Sequence, residues 1–180
     1  MSDDIAAIKQ TLASYCHRVD RGTAAEVAEL FAEDAILSPH YDGPYEVYGR
    51  EGIRGWYAFY HQTLGASVTN LKHLIHSMMV DVDGDAASSV CYLTAYFISK
   101  DDKVAYQVQG TYHDTLVRSG DSWLFQTRRI EVEFMTALST VIAALATSGR
   151  KAICDSAMLH QRFTLMSVIR MFCSRSTVGT

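Results

Sequence analysis

From Thr69 to Met135 the chain reads as four runs of strand-forming residues. They are separated by three short polar breaks: DGD at Asp83–Asp85, KDDK at Lys100–Lys103 and RSGDS at Arg118–Ser122. Breaks this short admit only hairpins, because a parallel connection needs a far longer crossover. The reading is an antiparallel meander with strands near 70–82, 86–99, 103–118 and 122–135. Helices upstream of consecutive hairpins make an α+β layout. The expected fold is a cone-shaped barrel in which a curved antiparallel sheet wraps around N-terminal helices and encloses a cavity.

The helices are legible from apolar spacing. Ile5, Ile8, Leu12, Tyr15 and Val19 form one stripe between Asp3, a candidate cap, and Asp20. At about 100° per residue, Tyr15 and Asp20 fall on opposite edges of that stripe, so both can look into a cavity that the helix covers. Gly22 ends this helix, and Thr23 with Glu26 forms a capping box for a second. Ile53, Trp56, Tyr57, Tyr60 and Leu64 mark a third, aromatic-rich helix over Glu51–Leu64. Between the second and third lies AILSPHYDGPYEVYG, a short strand and then a turn-rich loop holding both prolines, Pro39 and Pro44. Loops of this kind often line a pocket entrance.

With 180 residues, 48% of them apolar, the chain suffices for one domain with a substantial core. A net charge of −4 without a Lys/Arg run supplies no field for nucleic acid or an anionic membrane surface. The expected partner is instead a small hydrophobic or cyclic molecule. Cys16, Cys91, Cys154 and Cys173 form no CxxC, and the polar, acidic N-terminus does not read as a signal sequence, so a cytoplasmic location is expected. The longest apolar window, Leu138–Ala146, is well short of a membrane span. Residues 1–136 read as the cone domain. Residues 137–180 read as an extension, either helical or poorly ordered, carrying +4 against −8 for the rest.

His73 and His76 lie three apart on a strand and so face opposite sides, which prevents joint metal binding. No H-E-x-x-H or clustered Cys/His pattern exists, and no GxGxxG or P-loop, so neither a metal nor a cofactor is expected. One histidine facing a pocket can act as general base, provided a carboxylate orients it through Nδ1–H and steadies the imidazolium. Asp20 supplies that carboxylate only if the helix end meets the strand.

Several segments together carry a resemblance. They are the Y-x-x-x-x-D of Tyr15 and Asp20, AELFAEDA at Ala28–Ala35, YGREGI at Tyr48–Ile53, His73 with VDVDGDAA at Val80–Ala87, and GTYHDTLVRSGDSWLFQTRRI at Gly110–Ile130. In order and spacing they resemble the SnoaL-like branch of the nuclear-transport-factor-type superfamily. Within it the pattern is similar to scytalone dehydratase, bile-acid 7α-dehydratase and hexachlorocyclohexane dehydrochlorinase. The resemblance implies a cofactor-independent lyase in which His73 is the base, Asp20 its partner, and Tyr15 and Arg128 aid the departing water or halide. It also implies a homo-oligomer, a trimer in preference to a dimer. Tyr41 and Tyr48 in the loop, with Tyr112 and Trp56, are the expected substrate-binding side chains. Ser77 stands where an asparagine is frequent. Two other outcomes fit the same pocket: double-bond isomerisation or ring closure by the same dyad, and a non-catalytic module that binds a ligand or assembles with a partner.

Overall fold

The computed structural model describes residues 2–40 and 45–138. Tyr41, Pro44 and nearly all of the 137–180 extension lie outside the described residues. Three helices precede or interrupt the sheet: α1 (Ser2–Arg21), α2 (Ala24–Ala28) and α3 (Gly49–Tyr60), the last continuing into one π-helical turn, His61–Gly65. The strands are β1 (Phe31–His40), β2 (Val47–Tyr48), β3 (Val68–Asp83), β4 (Ala86–Ser99), β5 (Ala105–Ser119) and β6 (Ser122–Ala137).

The α+β cone layout is as expected. The four long strands form the meander, and two of their turns have simple chemistry. Gly84 and Gly120 each open a two-residue hairpin loop with positive φ, 59° and 60°, where a side chain would be strained. The sheet is, however, mixed and open. Its order is β2-β1-β6-β5-β4-β3, and β1 runs parallel to β6, with Leu37 opposite Arg128. No hairpin joins those two strands, so nothing in the local sequence dictated their direction. β1 also reaches further than a short strand, taking in Pro39, while α2 is a single capped turn because Phe31 already belongs to the sheet. Its capping box is complete: Glu26 N donates to Thr23 Oγ1 (3.2 Å) and Thr23 N to Glu26 Oε2 (2.7 Å).

Helix α1 buries the predicted stripe of Ile8, Leu12, Tyr15 and Val19 against β3 and β6. It is tied at its start, where Arg118 Nη1 donates to Asp4 Oδ1 (2.7 Å) and holds that carboxyl down at about 2. It is tied again mid-way, by Thr11 Oγ1 donating to the carbonyl of Trp123 (2.9 Å). Both ties run to the β5–β6 hairpin, so the end of α1 is delivered to a fixed place over β3. Register shifts between Thr69 and Lys72 and between His76 and Met79 interrupt the β3–β4 ladder, beside Asn70 and Ser77 with φ of 55° and 54°. These are bulges, and they bend β3 on either side of His73.

Candidate functional site

Asp20 is the next-to-last residue of α1, and its carboxylate takes hold of His73 twice. Oδ1 lies 2.6 Å from the ring Nδ1, and Oδ2 accepts the backbone N–H of His73 at 3.0 Å. The two side chains are 8% and 10% exposed, so the contact is sheltered from water. An ionised carboxylate can only accept, which places the neutral-ring proton on Nδ1 and leaves the lone pair on Nε2. Just past the end of α3, His61 Nε2 is 3.2 Å from the carbonyl oxygen of Val19, bracing the end of α1. His76 faces the other side of the sheet, 3.1 Å from Thr94 Oγ1.

Tyr15 enters from the same helix. Its hydroxyl lies 2.5 Å from the hydroxyl of Tyr57 on α3. Its ring meets Phe31, Tyr57, Tyr112 and Phe125 edge-on, at 5.8–6.3 Å between centroids. The guanidinium of Arg128 lies 3.9 Å from the Tyr15 ring centroid, 4.0 Å from that of Phe125 and 4.4 Å from that of Tyr112. Arg128 itself is wholly buried and closes a fork on Asp114, with Nε and Nη2 each donating at 2.8 Å, while Ser89 Oγ donates to the same carboxylate at 3.1 Å. Burial works against the charge of Arg128, but Asp114 and the flanking phenols more than offset it. Burial also pushes the Tyr15 phenol up, opposed by Arg128 and by the hydrogen bond to Tyr57.

A model of the SnoaL-like domain matches residues 1–129. The chain belongs to the SnoaL-like domain family. Solved structures agree on the SnoaL-like fold. A putative scytalone dehydratase from Novosphingobium aromaticivorans is 21% identical with a TM-score of 0.65, the match covering 76% of this chain and 91% of that one. A hexachlorocyclohexane dehydrochlorinase, LinA-type3, from Novosphingobium barchaimii is 14% identical with a TM-score of 0.62, covering 83% and 94%. A single-site variant of Rv3472 from Mycobacterium tuberculosis, a protein of unknown function, is 22% identical with a TM-score of 0.64, covering 74% and 78%. At such identities the likeness establishes the fold alone. No curated protein sequence matches this chain.

The remaining expected site residues divide. Tyr112 is buried beneath Arg128, and Trp56 stacks on Tyr60 at 5.6 Å and meets Tyr57 edge-on at 4.8 Å, so both belong to the aromatic wall. Tyr48 does not join them. It is 66% exposed just ahead of α3, its hydroxyl donating to Glu46. Tyr57 and Tyr60 were not singled out by sequence reasoning, although the aromatic spacing of α3 was the available signal. Burial raises the Tyr60 phenol, and so do the charges of Tyr15 and Asp20, while its ring packs against Trp56, Tyr57 and His61. The thiols of Cys16 and Cys91 are pushed up by burial to about 11 and 12, which leaves them poor nucleophiles.

A separate open depression of about 600 Å³ is lined mainly by outward-facing side chains, among them Met79, Ser88, His113, Thr127 and Arg129. Asp20, His73 and Tyr15 are not among its lining residues. Among the described residues no group of three His, Cys, Asp or Glu side chains is placed to hold a metal ion, and no helix is long and apolar enough to cross a membrane.

Proposed function

We propose that this SnoaL-like chain is a cofactor-independent lyase of the dehydratase or dehydrochlorinase type, acting on a small cyclic or polycyclic substrate in the cytoplasm. Nε2 of His73 takes a proton from a carbon next to an activating group. The electrons of that C–H bond form the new double bond as the bond to hydroxyl or halide breaks. Asp20 steadies the imidazolium so formed. Tyr15 gives its proton to a departing hydroxyl, which leaves as water, or hydrogen-bonds a departing halide. Arg128, locked on Asp114, acts through Tyr15, since its positive charge against that ring favours the phenolate left behind. Solvent then carries the proton from His73 back to Tyr15.

The observation that carries this reading is the two-point grip of Asp20 on His73, at 2.6 and 3.0 Å. One contact would orient a ring, but holding both the ring and its own backbone N–H fixes the imidazole relative to the strand, as a general base requires. The named relatives, a putative scytalone dehydratase and a hexachlorocyclohexane dehydrochlorinase, support the choice of chemistry. The test uses two probes. A β-hydroxytetralone becomes a fluorescent naphthol on losing water, and hexachlorocyclohexane releases chloride. Turnover of either by the unaltered chain, lost in His73→Ala, is the expected result. Full activity in that variant would end the proposal, and an isomer with no water or chloride lost would replace elimination by double-bond shift.

Self-association belongs to the same reading, as a trimer in preference to a dimer. Its support is the row of exposed apolar side chains on the outward sheet face, Leu74, Met79, Tyr92 and Phe134. Light scattering of the full chain giving a monomer mass would remove it.

A further inference from the structure

We infer that Tyr57 on α3 is the positioning residue that lets Tyr15 act as proton donor, holding the Tyr15 hydroxyl toward the departing group and steadying the phenolate left behind. The inference rests on the lyase reading above and adds to it a residue from a third element of the fold.

Three observations carry it. The two hydroxyls are 2.5 Å apart and the two side chains are 1–2% exposed, so this hydrogen bond is made away from solvent. Packing at such a position rewards a phenylalanine, because burying a hydroxyl costs free energy unless it is partnered. Two phenols facing one another are therefore a polar device inside an aromatic core. Next, Tyr57 is itself held in place. Its ring meets Trp56 at 4.8 Å and 84°, and Tyr60 at 6.1 Å and 69°, both from its own helix. A donor clamped in this way has little freedom to lose when it points at Tyr15. Last, Arg128 occupies the face of the Tyr15 ring at 3.9 Å, with Nε and Nη2 both committed to Asp114. The guanidinium sets its charge against the ring, with Nη1 buried and without a hydrogen-bond partner among the described residues, and the Tyr15 hydroxyl shares its hydrogen bond with that of Tyr57, either of which can donate.

The proton balance is closed. The Tyr15 O–H bond breaks as its proton joins the departing hydroxyl to make water. Tyr57 then donates its own O–H to the Tyr15 oxyanion without giving the proton up. The proton taken from carbon by His73 returns through solvent to Tyr15, and nothing is oxidised or reduced.

The test compares Tyr57→Phe with the unaltered chain. In NMR of protein carrying isotope-labelled tyrosine Cζ, the Tyr15 resonance, identified by its loss in Tyr15→Phe, is expected to move in Tyr57→Phe. On the β-hydroxytetralone, kcat is expected to fall about ten- to a hundredfold, the worth of one hydrogen bond to a charged oxygen, with KM within about twofold. A fluorinated tyrosine at position 57 keeps the shape and hydroxyl and is expected to restore the rate. An unmoved Tyr15 resonance overturns the inference by itself. So does an unchanged kcat in Tyr57→Phe where His73→Ala has lost turnover, or a fluorotyrosine variant no faster than the phenylalanine one. Full turnover in His73→Ala is a different failure, because it removes the lyase reading underneath.

Discussion

Asp20 with His73 and Asp114 with Arg128 are two carboxylate–cation pairs drawn from the same core, and their surroundings give them opposite work. Arg128 is permanently charged, wholly buried and forked on Asp114, with three aromatic rings against its guanidinium. Its charge cannot be switched, so the pair supplies a fixed field. His73 is the reverse case. Its cation exists only when a proton is taken up, Asp20 holds just one of its ring nitrogens, and slight exposure remains. A buried carboxylate–cation pair becomes reactive when one member can take up and release a proton and keeps a ring nitrogen outside the pair, as His73 keeps Nε2. Where neither holds, the pair organises its neighbours.

The comparison can be broken in four ways. In the largest, His73→Ala removes the proton acceptor and lowers turnover of the active probe by about a thousandfold or more. The urea midpoint should fall, though by less than in Arg128→Met, because Asp20 loses the ring but keeps the backbone N–H of residue 73. An equally large loss of stability would make the two pairs alike. The second reverses the assignment of cost: Arg128→Met strands Asp114 as an unpaired buried charge and should lower unfolding free energy by about 3–5 kcal/mol, read by denaturant titration. The third sharpens it. Replacing both members, Arg128→Met with Asp114→Leu, leaves no orphan charge and should recover much of that stability. Turnover should stay low, since the field against Tyr15 has gone. If the double variant is as unstable as the single one, the pair stabilises the fold by more than mutual neutralisation.

The smallest effect is a pH dependence. Burial raises the phenols of Tyr15 and Tyr60 in the folded chain. The folded state therefore keeps protons that the unfolded chain releases above about 10, so this contribution is whole below that pH and is lost as pH rises beyond it. Unfolding midpoints should fall more steeply above about 10 in the unaltered protein than in Tyr60→Phe. Equal slopes would mean that the phenols do not feel their burial.

What the sequence disclosed depends on range. The DGD and RSGDS turns, the stripe on α1 and the Thr23–Glu26 capping box are local, and each appears where its residues put it. The β1–β6 pairing is not local, and its parallel direction depends on how α2 and α3 return the chain to the sheet. The same distinction holds at the site. Asp20 and His73, 53 residues apart, could be paired in advance only by way of the family resemblance. The Tyr15–Tyr57 contact spans 42 residues and matches no motif, so it became visible only once the fold brought the two hydroxyls together. Tyr48 shows the converse, because a tyrosine beside a helix start gives no local sign of which way it will face.

The two bulges in β3 govern how this protein can change length. Along the ladder, inward and outward positions alternate, and the irregularities beside Asn70 and Ser77 reset that alternation on either side of His73. A single residue gained or lost between them would turn the imidazole to the opposite side of the sheet and separate it from Asp20. The same change in the DGD or RSGDS turn would leave the imidazole where it is. Insertions and deletions among descendants of this chain should accordingly collect in the hairpin tips and spare the segment from Leu71 to His76.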